Sequence, residues 1–573
     1  GVLTPTEKET KQSYTRGRRG LEHEFGKTMR FKAIRELIEG ETGPLIRDLK
    51  PVWLMSPLSV SDTLPLDPGF VDVVIFDEAS QIPLEEAIPT LFRGRQVIVV
   101  GDEKQLPPTD FFSSRSPDEA DETFSETAPE SDGSAEPEPA TIDLADDSFL
   151  RFAARNLPST MLEWHYRSRS ESLIAFSNQA FYNGRLLTVP DPLPLSGGST
   201  PADRLATGSQ GVELLLSRPV SFHFLQQGVY EKRRNRQEAE TIARLVAGLL
   251  ERSPELTIGV IAFSEAQQSE IDSALERLAQ ADPEFRRRLE AEREREIDGQ
   301  FVGLLVKNLE NIQGDERDVV IVSICYGPNP LGKMYMNFGP INRDGGERRL
   351  NVAFSRAKQH MAVVSSIHAD AVTNDYNPGA LCLKNYLAYA EAVSRGDVAA
   401  SNRVLTSLTR ARHETADHAE DSPDNAVASD LCRELVTRGF IVDRGVGVSR
   451  FRVDMAIRRP EDRSYRLGIL VDTVEQYATT DPLEREFIRP KLLQSFGWNV
   501  TSVLACDWFD RREVELQRIL ELLRQVPNAK VSAANSDAEV AKSADDATPE
   551  SSLETADEEQ EISLPPALED SAD

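Results

Sequence analysis

The chain has 573 residues and a net charge of −30, and 39% of its residues are apolar, a composition typical of a globular protein with roughly three or four domains. No stretch approaches the roughly 18 apolar residues of a membrane-spanning helix, and the first residues, GVLTP, are not a signal peptide. The four cysteines lie far apart without a CxxC pair, which argues against a zinc or redox site and favours the reducing cytoplasm.

The negative charge is concentrated in two segments. Residues 116–147 contain 12 acidic and no basic residues, and residues 527–573 contain 13 acidic residues and two lysines. These segments carry −12 and −11, or −23 of the −30, so the rest of the chain carries only about −7. Because both are rich in Ser, Ala, Pro and Glu, we expect them to be disordered. The folded domains therefore remain free to present basic grooves to a nucleic acid.

The amino-terminal elements are predicted to be helices followed by a short parallel sheet. Residues 1–50 predict helices, with apolar residues at helical spacing between residues 20 and 40. The β-branched runs Val71–Phe76 and Gln96–Val100 are typical of buried parallel strands, and residues 83–91 predict the helix between them.

A second α/β block spans residues 148–370. It is predicted to contain helices at 171–182, 236–250, 266–279 and 349–358 and strands at 258–263, 319–324 and 361–365. Residues 285–298 predict a charged helical insertion, and residues 371–427 predict a linker. Residues 428–525 then predict a third unit in the order helix, strand, strand, strand, helix, strand, helix.

The first motif with a chemical meaning is Val71–Ser80, VDVVIFDEAS, in which an apolar strand ends in two adjacent carboxylates. The carboxyl edge of a parallel sheet is where α/β proteins bind ligands. In a nucleotide hydrolase, Asp77 would hold Mg²⁺ through water and Glu78 would polarise the attacking water. Taken alone, the acidic pair is more often a strand end followed by a helix N-cap, because such a pair is common after a strand.

Further motifs follow in a fixed order. Val97–Pro108, VIVVGDEKQLPP, is a second strand that ends in Gly-Asp and Gln105, a side chain able to reach a γ-phosphate or its attacking water. The later segments are Leu162–Arg169 (LEWHYRSR), Ile258–Gln268 (IGVIAFSEAQQ), Asn308–Ser323 (NLENIQGDERDVVIVS) and Gly345–Lys358 (GGERRLNVAFSRAK). Together the six segments resemble the motifs of superfamily 1 helicases, of the 5′→3′ branch related to the nonsense-mediated-decay helicase.

The resemblance covers roughly residues 50–370 and implies an α/β fold of tandem RecA-like P-loop NTPase domains. It implies ATP and Mg²⁺ as cofactors and a nucleic acid, DNA rather than RNA, as partner. It places Arg167 and Arg356 against the γ-phosphate, because a planar, charged guanidinium group can donate to two phosphate oxygens at once. Gln105 would couple the phosphate to the cleft between the two domains. The residues that would link the nucleotide to the strand-binding face are Gln313, Gly314 and Glu316.

The sequence departs from the helicase pattern in two places. Ala262 stands where related helicases carry a threonine that bonds the nucleic-acid backbone. The phosphate-cradling loop G-x-x-x-x-G-K-[ST] is absent, because Gly26, Lys27 and Thr28 follow Leu21 in place of its first glycine and no strand precedes them. We therefore expect a first motor domain that is truncated at its amino terminus. Such a chain is not expected to hydrolyse ATP unaided. It is either a fragment or a subunit whose missing half is supplied by a separate chain.

The third unit, residues 428–525, resembles a restriction-endonuclease-like domain of the kind related to very-short-patch repair nucleases. Such a nuclease binds its metal with an Asp on one strand and an acidic residue on the next. Asp454 fits the first position, but Leu470 replaces the expected Glu, and Asp472 remains as a second candidate ligand. We therefore expect weak cleavage or none, restored in part by Leu470→Glu, with a DNA-binding or structural role as the alternative.

These interpretations divide the chain into six segments. They are the carboxy-terminal part of a first RecA-like domain (1–113), a disordered acidic linker (114–147), a second RecA-like domain (148–370), a linker (371–427), a restriction-endonuclease-like domain (428–525) and a disordered acidic tail (526–573). The predicted function is ATP-dependent translocation on nucleic acid. The alternative is a non-catalytic nucleic-acid-binding remnant or scaffold.

Overall fold

The computed structural model describes residues 5–108, 148–193, 209–410, 426–462, 464–471 and 481–525. The predicted acidic linker, 114–147, and the predicted acidic tail, 526–573, lie outside the described residues, as does the candidate metal ligand Asp472. Within the described ranges, no helix combines the length and the apolar character needed to cross a membrane.

Helices form the amino-terminal part of the described chain, as the sequence predicts. They are α1 (Pro5–Phe25), α2 (Ile34–Glu39), α3 (Gly43–Leu49) and α4 (Pro57–Thr63). Gly26 follows the end of α1, and its N–H donates to the carbonyl of Glu22 at 3.1 Å. The Gly-Lys-Thr sequence therefore continues from a helix, whereas a phosphate-binding loop connects a strand to a helix.

A βαβ unit follows, with helix α5 (Leu84–Arg93) between strands β1 (Val71–Phe76) and β2 (Gly94–Val99). The two strands pair in parallel, with Val74 opposite Val97. The predicted strands are confirmed, the second with a shift of its start by two residues. Parallel pairing brings the residues that follow both strands to the same edge of the sheet.

The second α/β block contains a five-stranded sheet. Its strands are β3 (Trp164–His165), β4 (Leu187–Thr188), β5 (Val220–Phe224), β6 (Ile258–Ala262), β7 (Glu296–Ile297), β8 (Gln300–Phe301), β9 (Leu305–Asn308), β10 (Arg317–Ser323) and β11 (Ala357–Ser365). The sheet has the order β5-β11-β10-β6-β9 and all its pairs are parallel, whereas β3–β4 and β7–β8 form separate two-stranded pairs.

Helices cover both faces of this sheet. They are α7 (Ala175–Phe181), α8 (Ser209–Ser217), α9 (Arg236–Arg252), α10 (Glu265–Ala281), α11 (Pro283–Arg293), α12 (Gly346–Phe354), α13 (Pro378–Arg395) and α14 (Val398–Arg410). The preceding helix α6 (Phe149–Asn156) packs on the first sheet instead, with Phe149 in one cluster with Val74 and Phe76. Alternate residues of β10 enter two different apolar clusters, Val320 and Val322 on one face and Val319 and Ile321 on the other. Burial on both faces explains the continuous apolar run of this strand.

Three predicted elements differ in the structure. The helix predicted at 349–358 ends at Phe354, because the backbone at Ala357 already pairs with Arg317 as the start of β11. Most of the predicted linker 371–427 is instead the helices α13 and α14, whose apolar residues, among them Leu383, Tyr386 and Leu387, are buried in the core of the second domain. The predicted insertion 285–298 is helix α11 followed by the β7–β8 hairpin.

The third unit has the predicted order of elements. They are α15 (Ala426–Thr437), β12 (Ile441–Val446), β13 (Val453–Arg458), β14 (Leu467–Val471), α16 (Arg489–Ser495), β15 (Val500–Val503) and α17 (Ala505–Gln525). The sheet order is β12-β13-β14-β15, antiparallel except for the parallel pair β14–β15. Alternate residues of β14 face opposite sides, with Ile469 in a core against α15 and α17 and Leu470 in a second cluster.

Candidate active site

The carboxyl ends of β1 and β2 place the predicted acidic residues and the glutamine side by side. Asp77 and Glu78 directly follow β1. Gln105 lies in the turn Asp102–Gln105, four residues after Gly101, which follows the apolar end of β2. Glu78 has a φ of 50°, in the left-handed region, and its N–H donates to Asp77 Oδ1 at 2.9 Å. This bend turns the Glu78 side chain out of the line of the strand and towards the second domain.

Two side chains of the second domain reach this edge. Gln313 Nε2 donates to Glu78 Oε2 at 3.0 Å, and Arg356 Nη2 donates to Gln105 Oε1 at 3.2 Å. Four of the residues predicted for the ATP site therefore meet across the cleft between the two α/β domains.

The position of Gln105 depends on residues that the sequence reading did not single out. Asp102 Oδ2 accepts from Gln105 Nε2 at 2.9 Å and from the Tyr182 hydroxyl at 2.6 Å. Asn351 Nδ2 donates to the Tyr182 hydroxyl at 3.0 Å and to the Lys104 carbonyl at 2.9 Å. Asp102 and Asn351 lie inside recognised motifs, and Tyr182 ends the predicted helix 171–182. No sequence spacing indicates that the three residues bond to one another.

Arg167 and Glu316 form an ion pair at the side of the cleft. Arg167 Nε lies 2.6 Å from Glu316 Oε2, and Lys358 Nζ lies 3.0 Å from Glu316 Oε1. Burial raises the pKa of Glu316, but the hydrogen bond from Lys358 and the charge of Arg167 outweigh it and lower the pKa overall. Gly314, with a φ of 87°, provides the turn that separates Gln313 from Glu316.

Arg356 is the most buried cation of the cleft, with 4% of its surface exposed. Burial and the nearby charge of Arg167 lower its pKa to about 10, opposed by the negative charges of Glu78 and Glu316. The guanidinium is therefore charged at neutral pH, and its Nε donates to the Val352 carbonyl at 2.9 Å, which fixes its direction.

The chemistry of these side chains fits a nucleoside triphosphate with Mg²⁺. Carboxylates such as those of Asp77 and Glu78 suit a hard divalent cation, and the two arginines suit phosphate oxygens. Gln313 Oε1 is buried and finds no hydrogen-bond donor among the residues that the structure describes. Such an acceptor is expected to bond to a water or ligand that enters the cleft.

A second candidate surface lies at the carboxyl ends of the strands of the second domain. Ala262 is fully buried at the end of β6, and Ser264, two residues later, caps helix α10 by accepting from Gln267 N at 3.1 Å. The Ser264 hydroxyl also donates to the Arg233 carbonyl at 2.6 Å. Arg233 and its neighbour Lys232 are exposed at the tip of a tight turn, and both have positive φ, 62° and 53°.

Of the two candidate metal ligands of the third unit, Asp454 alone lies among the described residues. Asp454 Oδ2 accepts from the Val471 N–H at 2.7 Å, so its carboxylate is used to join β13 to β14. Leu470 is only 7% exposed and belongs to an apolar cluster with Phe451, Trp498 and Val189. Among the described residues, no group of three His, Cys, Asp or Glu side chains could hold a metal.

This packing changes the expected result of Leu470→Glu. We predict a large loss of stability and no gain in cleavage, because a carboxylate would be forced into an apolar cluster. The free energy of unfolding should fall by more than the roughly 2–5 kcal/mol typical of Leu→Ala, whereas Leu470→Met should cost less than about 1.5 kcal/mol. Denaturant unfolding of the whole chain measures both. Native-like stability together with new Mg²⁺-dependent nicking would restore the sequence-based interpretation.

Family models match all three folded parts of the chain. Two models described as AAA domain match residues 58–112 (AAA_11) and residues 144–368 (AAA_12), and the model REase_MTES_1575 matches residues 428–523. The fold and these matches define the class of protein, which has tandem RecA-like domains followed by a restriction-endonuclease-type domain.

Similar proteins carry helicase names. The chain is 30% identical over 493 residues, or 84% of its length, to the uncharacterized ATP-dependent helicase MG140 homolog of Mycoplasma pneumoniae, and 34% identical over 382 residues to the corresponding MG140 protein of Mycoplasma genitalium. It is also 26% identical over 347 residues to the probable helicase MAGATAMA 3 of Arabidopsis thaliana. The chain is therefore similar to superfamily 1 helicases, and its carboxyl-terminal domain is similar to a restriction endonuclease. It spans 39%, 30% and 36% of the lengths of these curated relatives.

Proposed function

We propose that the chain supplies the catalytic acids and the arginines of an ATP-driven motor that moves along nucleic acid. The observation that carries this proposal is the set of contacts across the cleft, Glu78 with Gln313 and Gln105 with Arg356. A hydrolysis site that spans two domains changes its contacts when the nucleotide is cleaved, and this change can move one domain against the other.

Each side chain has a specific proposed role in hydrolysis. Asp77 would bind Mg²⁺ through water, and Mg²⁺ would neutralise charge on the phosphates. Glu78 would accept a hydrogen bond from the attacking water and orient it, a position now taken by Gln313 Nε2 at 3.0 Å. Arg356 and Arg167 would donate to the γ-phosphate oxygens from the opposite side.

The surface of the first sheet supports the presence of a further partner. Val73, Ile75 and Ile98 share one face of the β1–β2 pair and are 42%, 65% and 45% exposed. Parallel sheets normally have both faces covered. We propose that the polypeptide that supplies a phosphate-binding loop covers this face, and experiments on hydrolysis therefore require a form of the protein that includes such a loop.

For the nucleic acid, we propose a single strand, DNA more than RNA, that lies across the turn Glu231–Arg234. The backbone of this turn is bridged between its two end residues, which leaves Lys232 and Arg233 at the tip. Left-handed conformations cost about 1–2 kcal/mol for each such residue, and strain of this kind clusters at functional sites. The Ser264 hydroxyl holds the tip beside the amino end of α10, so its cations are presented at the sheet edge where α/β proteins bind ligands.

The test is binding of the chain to fluorescent single-stranded DNA and RNA oligonucleotides over a range of salt concentrations. We predict that the double variant Lys232→Glu, Arg233→Glu binds at least about tenfold more weakly and reduces the salt slope by about 1–2. Arg252→Glu is the matched control, because this exposed arginine ends helix α9 at its far end, roughly 24 Å away. Equal losses in both variants would place the nucleic acid elsewhere.

The same measurements distinguish the motor from the alternative, a nucleic-acid-binding remnant or scaffold. If the protein is a motor, a form of it that includes a phosphate-binding loop hydrolyses ATP faster when single-stranded nucleic acid is added. Binding to nucleic acid without any stimulated hydrolysis would favour the scaffold.

A further inference from the structure

Residues 163–192 of the second RecA-like domain contact the endonuclease-like domain, and we name this segment the arginine arm. The arm carries Arg167 and includes β3, α7 and β4. Among its hydrogen bonds to the endonuclease-like domain are four whose donor is a backbone or indole N–H. They run from Val448 N to Glu171 Oε2 (3.0 Å), from Thr188 N to Ser449 Oγ (3.1 Å), from Trp498 Nε1 to the Pro190 carbonyl (2.7 Å) and from Tyr465 N to the Pro192 carbonyl (2.9 Å).

The junction is also apolar. Val189 of the arm lies in one cluster with Leu470, Phe451 and Trp498, and the ring of Trp164 meets that of Phe451 edge-on at 5.1 Å. Buried apolar area of this kind stabilises a contact far more than exposed ion pairs do. The arm therefore covers the sheet face of Leu470, the position at which a nuclease of this type would present its second metal-binding acid.

The other side of the arm is fixed to the motor, next to the ATP cleft. Arg169 N donates to the Lys358 carbonyl at 2.7 Å, and Lys358 pairs with Glu316, the same carboxylate that holds Arg167. The Arg169 side chain extends in the opposite direction. Its Nη1 donates to the Ser495 carbonyl at 3.3 Å, and its guanidinium lies 5.5 Å from the ring centroid of Phe496.

We propose that the endonuclease-like domain is a brace that positions Arg167 for ATP hydrolysis, and that Arg169 is the positioning residue through which it acts. Arg167 and Arg169 are two residues apart in the short bend that follows β3, so anchoring the Arg169 side chain on Ser495 and Phe496 restricts where Arg167 can point. The role of this domain is then mechanical, with its former cleavage face used as a docking surface. The inference rests on the proposed function.

The kinetic test compares three variants in a form of the protein that includes a phosphate-binding loop. Arg169→Ala is expected to lower the kcat of ATP hydrolysis roughly tenfold while the KM for ATP and the affinity for single-stranded DNA stay within about twofold, because the residue touches neither ligand. Arg169→Lys should recover part of the loss, since a lysine can also bond a carbonyl and lie over a ring. Arg450→Ala is the control, because its ion pair with Glu163 at the rim of the junction is exposed.

A second measurement uses the chain itself and requires no hydrolysis. Hydrogen exchange should show slow exchange of the amides of Thr188, Val448 and Tyr465 in the unaltered chain and in Arg169→Ala. Fast exchange of these amides in the unaltered chain overturns the docked arrangement.

The two measurements separate the possible failures. Slow exchange together with wild-type kcat in Arg169→Ala overturns the positioning role and leaves the proposed function intact. A form that includes the loop but never hydrolyses ATP overturns the proposed function and the positioning role together, while slow exchange would still support the docked domain. A kcat loss of equal size in Arg450→Ala would show a general effect of the junction and overturn the specific role of Arg169.

Discussion

Replacing Glu78 with glutamine is expected to abolish ATP turnover while ATP still binds. The carboxylate is the proposed acceptor for the attacking water, and removal of a general base typically costs roughly 10²–10⁴ in rate. A glutamine keeps the size of the side chain and the left-handed backbone at this position, where φ is 50°. Asp77 and the arginines remain to hold Mg²⁺ and the phosphates, so the affinity for ATP should change little.

The measurement is steady-state hydrolysis together with the binding of a fluorescent ATP analogue, in a form of the protein that includes a phosphate-binding loop. Glu86→Gln is the matched control, an exposed carboxylate on helix α5 of the same βαβ unit. Parental turnover by Glu78→Gln would show that the acidic pair after β1 is a strand end without a catalytic role. Loss of ATP binding would instead assign Glu78 to the metal site.

Local patterns were sufficient to predict the strands and helices that present the site. The apolar runs ending at Phe76 and Val100 predict buried parallel strands, and the structure pairs them with their carboxyl ends together. The acids and the glutamine follow these runs directly, so their approach to one another is a consequence of strand direction. The order of elements in the third unit could be predicted for the same reason, since apolar alternation and turn residues are local signals.

Contacts between distant parts of the chain could not be predicted in this way. Nothing in the sequence indicates that Tyr182 bonds to Asp102, because the two residues belong to different domains and meet only after both have folded. The same limit explains the helices found in the predicted linker, whose apolar residues are decided by packing against the second domain. Leu470 shows most clearly that a residue's neighbours in space cannot be predicted from local sequence patterns. Its sequence position suggests a lost metal ligand, whereas its neighbours in space show a packed junction.

Arg356 should give the largest effect among the arginines when it is changed. We expect Arg356→Ala to slow ATP hydrolysis by a factor of about 10³ or more, the scale of an arginine finger, and Arg167→Ala to act in the same direction and on a similar scale. Arg356 is 4% exposed and bonds to Gln105 across the cleft, so its removal leaves both the phosphate and the glutamine without their partner.

Arg356→Lys distinguishes charge from geometry. Burial and Arg167 lower the pKa of Arg356 to about 10, so the arginine stays charged at neutral pH. A lysine starts from a lower pKa, near 10.4, and the same burial would bring it closer to neutrality. Even when charged, its single ammonium cannot bridge two phosphate oxygens. We therefore expect Arg356→Lys to hydrolyse ATP nearly as slowly as Arg356→Ala, with only slight recovery at lower pH.

Arg343→Ala, at an exposed arginine before helix α12, is the control. Wild-type hydrolysis by Arg356→Lys would remove this residue from the site, and the contact with Gln105 would then be structural.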